Sequence, residues 1–301
     1  MTDQLIQKVY SGDIRSLAKA ISLVENYDDE GLELLLKLDI PKNNPVIGIT
    51  GPPGAGKSTF VNELVKQILS DTDKKIAVIA VDPSSPFNKG ALLGDRVRMS
   101  EHFLDERVYI RSLASRGSLG GLSDKIIEVT DLCRAAGFDY IFIETVGVGQ
   151  SEVEIAGLAD ITIVLLVPES GDEVQAMKAG LMEIADIFVV NKADRANAEN
   201  FYLNLIKLVK SKKNEKNQTI PVLKTVAQTG KGIDEVVLEL NAMQKKIPNK
   251  KERFLLMALK AKTLIQNCRT KDLEGLNLPK LIQKEEENGN FQLYRFVKKY
   301  C

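Results

Sequence analysis

One histidine and three cysteines in 301 residues leave little material for metal chemistry. His102 stands alone, and Cys133, Cys268 and Cys301 lie far apart, forming neither a C-x-x-C pair nor a disulfide ladder. That argues against a metal-handling tract rich in His or Cys and fits a reducing, cytoplasmic setting. His102 itself reads as a packing or helix-surface residue. Neither sign of charge is in excess, since Lys plus Arg and Asp plus Glu are each 41. No net field draws the chain to nucleic acid or to an anionic membrane, and neither is expected as a partner. Long apolar runs are missing too. Stretches such as Ile161 to Val167 are far short of a membrane span, and the opening M-T-D-Q-L-I-Q-K lacks a basic region before an apolar one. The expectation is a chain neither exported nor membrane-embedded. What is present, 44% hydrophobic and 27% charged residues, suits one large globular domain with appendages or two modest ones.

The most informative stretch is I-G-I-T-G-P-P-G-A-G-K-S-T-F, Ile47 to Phe60. Gly51, Gly56, Lys57 and Ser58 fit G-x-x-x-x-G-K-[ST], with Pro52, Pro53, Gly54 and Ala55 inside the loop and Thr59 just after it. Glycines at this spacing let successive backbone N–H groups turn inward around a polyphosphate, while Lys57 reaches the outer phosphates and the Ser58 hydroxyl ligates Mg²⁺. An apolar β-type run, Val46 to Ile49, precedes the loop, and Phe60, Leu64 and Ile68 recur at helical spacing after it. Strand, loop and helix in that order are what the chemistry needs, because the helix N-terminus adds N–H groups and partial positive charge.

Residues 3–38 read as a helical pair with a break near Asn26 to Asp29, and residues 41–45 as a linker. From there, apolar β-rich runs alternate with helical patterns: Val46 to Ile49, Ile76 to Val81, Val108 to Ile110, Tyr140 to Ile143, Ile161 to Val167, Ile187 to Val190 and Val222 to Val226. Several are apolar on both faces, as in a parallel sheet covered on each side. The alternation predicts a doubly wound, mainly parallel α/β domain of the P-loop NTPase type, whose ligands sit beyond the carboxyl ends of the strands. Three segments are expected: 1–44 as an N-terminal helical extension, 45–247 as the nucleotide domain, and 248–301 as a charged helical tail. The tail carries apolar series at Phe254, Leu255, Met257, Ala258, Leu259 and Leu264, at Leu276, Leu278, Leu281 and Ile282, and at Phe291, Leu293, Tyr294 and Phe296. About fifty residues of helix bury little core alone, so the tail is expected to pack on the domain or on a second copy.

The residues that follow the strands bear this out as a search rule. Asp82, in V-D-P-S-S-P-F, is a candidate Mg²⁺ ligand or an Asp-Pro turn starter. Asp95, Arg96 and Arg98 lie in a glycine-flanked segment that can order around a γ-phosphate, an arginine stabilising transition-state charge. Solvated surface charge is the competing reading for these arginines and for Arg116. The run ending at Ile143 leads into E-T-V-G-V-G-Q, in which Glu144 faces Mg²⁺ or the attacking water and the Gly147 N–H bonds the γ-phosphate. Glu144 stands where many G proteins have Asp. Its length leaves open whether it acts through metal-bound water or orients the nucleophile. Gln150 either positions water or is solvated.

Asn191-Lys192-Ala193-Asp194 follows another run. Guanine presents two adjacent donors on its pairing edge, which one aspartate accepts, while Asn191 bonds the purine edge and the Lys192 stem covers the ring. Adenine would leave Asp194 unpaired, and sites of this kind reject such analogues by on the order of 10⁴-fold. Thr225, Val226 and Ala227, after the last run, would offer a backbone contact to the guanine oxygen. The nucleotide expected is therefore GTP or GDP.

With these motifs in place, the chain resembles the methylmalonyl-CoA mutase-associated GTPases, the MeaB and ArgK-like family that includes the human methylmalonic aciduria type A protein. The resemblance runs nearly end to end, through S-L-A-K-A-I-S-L-V-E-N (16–26), V-D-P-S-S-P-F (81–87), L-G-D-R-V-R-M (93–99), A-S-R-G-S-L-G-G-L (114–122), E-T-V-G-V-G-Q-S-E (144–152) and P-E-S-G-D-E-V-Q-A-M-K-A-G-L-M-E-I-A-D (168–186). It implies a SIMIBI-type G domain and a homodimeric GTP hydrolase that chaperones an adenosylcobalamin-dependent acyl-CoA mutase, gating cofactor loading and protecting the mutase. It further implies Mg²⁺ held by Ser58, Asp82, Asp95 and Glu144, an extra switch over 168–180 in which Lys178 matches a residue linked to stimulated hydrolysis, and dimerisation through the C-terminal helices, the least similar part. A P-loop kinase would need an acceptor pocket and a base near the γ-phosphate, and no residues here mark either. A nickel-inserting GTPase would need a His- or Cys-rich tract, and a protein-targeting GTPase a Met-rich binding domain.

Overall fold

The structure, a computed structural model, describes residues 2–26, 29–41, 44–82, 99–114, 122–145, 151–168, 180–211 and 220–244, and scattered residues between 256 and 287. Two compact units divide the chain, Met1–Arg253 and Phe254–Cys301.

In the first unit the seven β-rich runs become β1 (Val46–Thr50), β2 (Ile76–Asp82), β3 (Val108–Ala114), β4 (Tyr140–Glu144), β5 (Ile161–Leu166), β6 (Ile187–Val190) and β7 (Val222–Lys224). They form one seven-stranded sheet in the order β3-β2-β4-β1-β5-β6-β7, and every pairing is parallel. β1 sits at the centre, between β4 and β5, so the loop that leaves it emerges where the winding changes direction.

Period-two alternation sends each strand into two cores. Ile47, Ile49, Val78, Phe142, Ile163 and Val189 face α4 (Lys57–Asp71) and α9 (Ile233–Gln244), meeting Phe60, Leu64, Val236 and Leu240. On the other face Val46, Ala77, Ile79, Ile141 and Ile143 meet helices packed from the N-terminal region, and Val164, Leu166, Phe188 and Val190 meet Phe201 and Leu205 of α8 (Ala198–Ser211). Two further helices on that face are α5 (Ile126–Ala135) and α6 (Ser151–Leu158), and a single turn, α7 (Leu181–Ile184), precedes β6. Gly48 explains how closely α6 lies: a Cβ there would fall 2.4 Å from Ile155 Cγ1 and 3.0 Å from the Ala159 Cβ.

The N-terminal region holds three helices rather than the expected pair: α1 (Thr2–Tyr10), α2 (Ile14–Glu25) and α3 (Asp29–Lys37). The unforeseen break lies at Ser11-Gly12-Asp13. Gly12 takes a left-handed φ of +77°, and the Asp13 carboxylate restarts the helix by accepting from the Ser16 N–H at 2.8 Å. The apolar stripe hid this break because Val9 and Ile14 both reach the same core. Leu17, Ala20, Ile21 and Val24 of α2 pack in that core with Val129, Leu132 and Cys133 of α5, and Glu25 pairs with Arg111 of β3.

Two strands differ from their expected bounds by more than one residue. β3 runs past Ile110 to Ala114, because an edge strand carries half-buried polar residues such as Arg111 and Ser112 that interrupt an apolar run. β7 stops at Lys224, where Val226 instead donates its N–H to the Lys231 carbonyl across a turn. In the second unit the described residues, including Ala258, Leu264 and Leu281, are helical. The rest of the tail's apolar positions, among them Phe254, Leu276 and Phe291, lie outside the described residues.

Candidate functional site

The carboxyl ends of β1, β4, β6 and β7 bring the two halves of the site together. After β1, Gly51 has φ +145° and presses so closely on β5 that a Cβ would lie 2.1 Å from the Leu165 carbonyl oxygen. Gly54 and Gly56 take φ of +79° and +86°, which curls the loop back over the first turn of α4. Lys57 and Ser58 are buried at the helix start. The Lys57 Nζ donates to the Gly51 and Pro52 carbonyls at 2.9 and 3.1 Å, so the cation is held over the loop by the loop's own backbone. Pro52, Pro53 and Gly54 ring this loop, Ala55 is buried beneath it, and Thr59 follows on α4.

Parallel pairing sets Glu144 beside Ile49, at the tip of β4. The Ser58 hydroxyl donates to Glu144 Oε1 at 2.7 Å, with the carboxylate buried. A hydroxyl and a carboxylate, both hard oxygen donors next to a polyphosphate loop, suit Mg²⁺ and do not suit softer metals. Asp82 is the last residue of β2, two places beyond the Ala80 that pairs with Glu144. Asp95, Arg96, Arg98, Arg116, Gly147, Gln150 and Lys178 lie outside the described residues.

A second anchor escapes motif reading. Thr145 donates its hydroxyl to that of Thr50 at 3.0 Å, both side chains being buried, so the chain leaving β4 is tied to the chain entering the glycine loop. The available signal was a threonine ending one strand and another directly following the neighbouring strand.

The residues expected on the base side gather around Asn191, at the end of β6 and 2% exposed. Its Nδ2 donates to the Ala55 carbonyl at 2.8 Å, and its Oδ1 accepts from the Thr225 hydroxyl and the Ala227 N–H, each at 3.1 Å. One amide thus joins three stretches: the glycine loop, the N-K-A-D turn and the chain after β7. A Cβ on Gly56 would stand 2.8 Å from that same Nδ2. Lys192 is half-buried with an unusual positive φ of +55°, and Asp194 is exposed. The Ala193 N–H donates to the Thr225 carbonyl at 3.0 Å. The N–H groups of Thr225, Val226 and Ala227 are all engaged, with Val190 O, Lys231 O and Asn191 Oδ1. A base oxygen would have to share one of them. His102, expected as a packing residue, is buried in a 3₁₀ turn, Ser100–His102.

A glycine loop over a Lys-Ser helix start, tied to an N-K-A-D turn, is the frame of a GTP-binding fold. Residues 17–270 match the description of the methylmalonyl Co-A mutase-associated GTPase MeaB family. The chain belongs to this family of GTPases. It is 49% identical over 238 residues to a putative GTPase of Pyrococcus horikoshii, spanning 78% of this chain and 75% of the relative. To the methylmalonic aciduria type A homolog, mitochondrial, of Mus musculus it is 37% identical over 257 residues, 78% of this chain and 61% of the relative. A crystal structure described as a LAO/AO transport system kinase superposes with a TM-score of 0.65 at 25% identity, covering 99% of this chain and 96% of the other. The MeaB-family frame thus reaches from the N-terminal helices into the tail.

Proposed function

We propose that this GTPase acts as a chaperone switch for an adenosylcobalamin-dependent acyl-CoA mutase, methylmalonyl-CoA mutase first among the candidates, gating cofactor loading and guarding the mutase from inactivation. The family description, which joins a GTPase to that mutase, carries the reading. The site supports the hydrolytic half of it.

In this reading GTP enters with its base against Asn191, Lys192 and Asp194, near Thr225, Val226 and Ala227, and its phosphates in the loop of Gly51, Pro52, Pro53, Gly54, Ala55, Gly56 and Thr59. Lys57 exchanges its bonds to the Gly51 and Pro52 carbonyls for phosphate oxygens. Ser58 and Glu144, with Asp82 and Asp95, would hold Mg²⁺, which supplies charge neutralisation at the phosphates. Glu144 is also the candidate to orient the attacking water, Gly147 to donate to the γ-phosphate, and Arg98 and Lys178 to stabilise transition-state charge. G proteins without a supplied arginine turn over as slowly as about 10⁻⁴ s⁻¹, a rate that suits a switch completed by its partner. Residues 248–301 are proposed to join two copies into a homodimer, and the setting is proposed to be cytoplasmic.

The test is GTP turnover by the purified protein with and without methylmalonyl-CoA mutase from the same source, with ATP as the control. Slow, GTP-selective hydrolysis that accelerates on adding mutase is expected. Brisk turnover indifferent to the mutase, or equal use of ATP, overturns the switch.

A further inference from the structure

Two side-chain bonds pin the exit of β4 to the surroundings of the glycine loop, one on each face of the sheet. On the α4 face the Ser58 hydroxyl reaches Glu144 at 2.7 Å. The other bond is the hydroxyl pair of Thr145 and Thr50, 3.0 Å apart. Ile49 packs in the core that holds Phe60 and Leu64 of α4, so period-two alternation turns Thr50 the opposite way, to the side on which Gly48 meets Ile155 of α6. Glu144 is the ladder partner of Ile49, and the Thr145 N–H donates to the Ile49 carbonyl at 3.1 Å. Two consecutive residues, Glu144 and Thr145, are thus gripped from opposite faces.

Thr50 is 0% exposed and Thr145 1%. Hydroxyls buried so deeply carry a desolvation cost that two valines of the same outline would not. The bond that offsets this cost joins two strand exits 95 residues apart in sequence. Thr50 leads directly into Gly51, whose carbonyl, with that of Pro52, holds the Lys57 Nζ. Thr145 follows directly on Glu144. The pair therefore fixes the backbone that sets the glycine loop against the backbone that sets the carboxylate.

We propose that Thr50 and Thr145 are positioning residues for the metal, holding Glu144 at the distance from the glycine loop at which it and Ser58 serve one Mg²⁺. Neither threonine is a ligand, since both hydroxyls lie on the face away from α4. The proposal rests on the reading of Ser58 and Glu144 as Mg²⁺ residues. Mg²⁺ demands near-ideal octahedral geometry, with oxygens at about 2.0–2.1 Å. Slack at the β4 exit is therefore felt as weaker metal binding before nucleotide binding suffers.

The experiment follows release of a fluorescent, non-hydrolysable GTP analogue from the purified protein while Mg²⁺ is titrated, with analogue affinity in EDTA and thermal unfolding measured beside it. Thr145→Val, Thr145→Ser, Thr50→Val with Thr145→Val, Ser58→Ala and Glu144→Gln are compared. Thr145→Val is expected to raise the Mg²⁺ concentration for half-maximal slowing of release about tenfold, with affinity in EDTA within about twofold. Thr145→Ser keeps the hydroxyl and should keep the wild-type requirement. The double valine variant leaves no hydroxyl unpartnered, so it should unfold near the wild-type midpoint and still need the extra Mg²⁺. A wild-type requirement in the double variant, with Ser58→Ala and Glu144→Gln raised, overturns the positioning role and leaves the site reading intact. Wild-type requirements in Ser58→Ala and Glu144→Gln overturn both. An equal rise in Thr145→Ser and Thr145→Val, or a rise matched by lost affinity in EDTA or by a lower unfolding midpoint in the double variant, shows a packing role and also overturns the proposal.

Discussion

Truncating Asn191 to alanine removes an acceptor from the Ala227 N–H and the Thr225 hydroxyl and a donor from the Ala55 carbonyl, all in a buried setting. Each buried group left unmet costs about 1–3 kcal/mol, so Asn191→Ala should lower unfolding free energy by about 2 kcal/mol or more in urea titration. It should also weaken binding of a fluorescent GDP analogue by at least about tenfold. Asn191→Asp keeps the acceptor and loses the donor, and should fall between the two. Gly51 leaves less latitude. With Leu165 O 2.1 Å from where a Cβ would be, Gly51→Ala must displace the loop from β5, and GDP binding measured in the same assay should be lost. Cys133 makes a contrasting residue-scale case. Full burial pushes its thiol up to about 12, so there is almost no thiolate at neutral pH. Iodoacetamide followed by peptide mass analysis should leave Cys133 unmodified in the native protein and label it after denaturation.

At the scale of elements, Arg107 staples the entry of β3 to the end of α4. Its guanidinium donates to the Leu69 and Thr72 carbonyls and pairs with Asp105 at 2.7 Å. Hydrogen bonds from the Arg107 side chain and backbone hold the Asp105 carboxyl at about 2, below its ordinary 3.8. A carboxylate depressed on folding adds stability above its unfolded pKa and loses it as pH falls through the folded value. Wild type should therefore be more stable than Asp105→Asn at pH 6, with the difference closing between about pH 4 and pH 2 in thermal melts. This staple was not legible in the sequence, since the carbonyls it reaches lie 38 and 35 residues from Arg107. The strands were legible wherever both faces are buried, as in Tyr140–Glu144 and Ile187–Val190, because burial on both sides writes an unbroken apolar run. Reading faltered where one side is half open, as in the polar second half of β3. It faltered also where a glycine and a capping acid end a helix inside a continuous apolar stripe, at Gly12-Asp13. The site shows the same division. Glycine spacing and N-K-A-D mark the two ends of the candidate site. The bonds that tie them, Asn191 to Ala55 and Thr145 to Thr50, link positions 136 and 95 residues apart, and no local pattern encodes them.

For the whole molecule, the strand order has a kinetic and a protective consequence. β1 pairs with β4 and β5, so the centre of the sheet closes only after the chain has been brought together over long stretches. Amide exchange followed by mass spectrometry should find the slowest protons in β1 and β4. The fastest strand protons should be in β7, three half-buried residues at one edge. If β7 were as protected as β1, the sheet would be opening as one unit rather than from its margins. The same assay on Gly48→Val, which crowds α6 off β1, should raise exchange in β1 and β5 first.

The amide of Asn191 has a consequence of another kind. It ties the glycine loop and the N-K-A-D turn to one another through one buried side chain, so the two form one clasp. On the proposed placement of GTP, a clasp of this kind would register the letter of the nucleotide and the presence of its inner phosphates, and would be indifferent to how many follow. A protein that leaned on the clasp alone would sense full from empty, but not charged from spent. Any client that must tell the triphosphate from the diphosphate has to touch the chain beyond it.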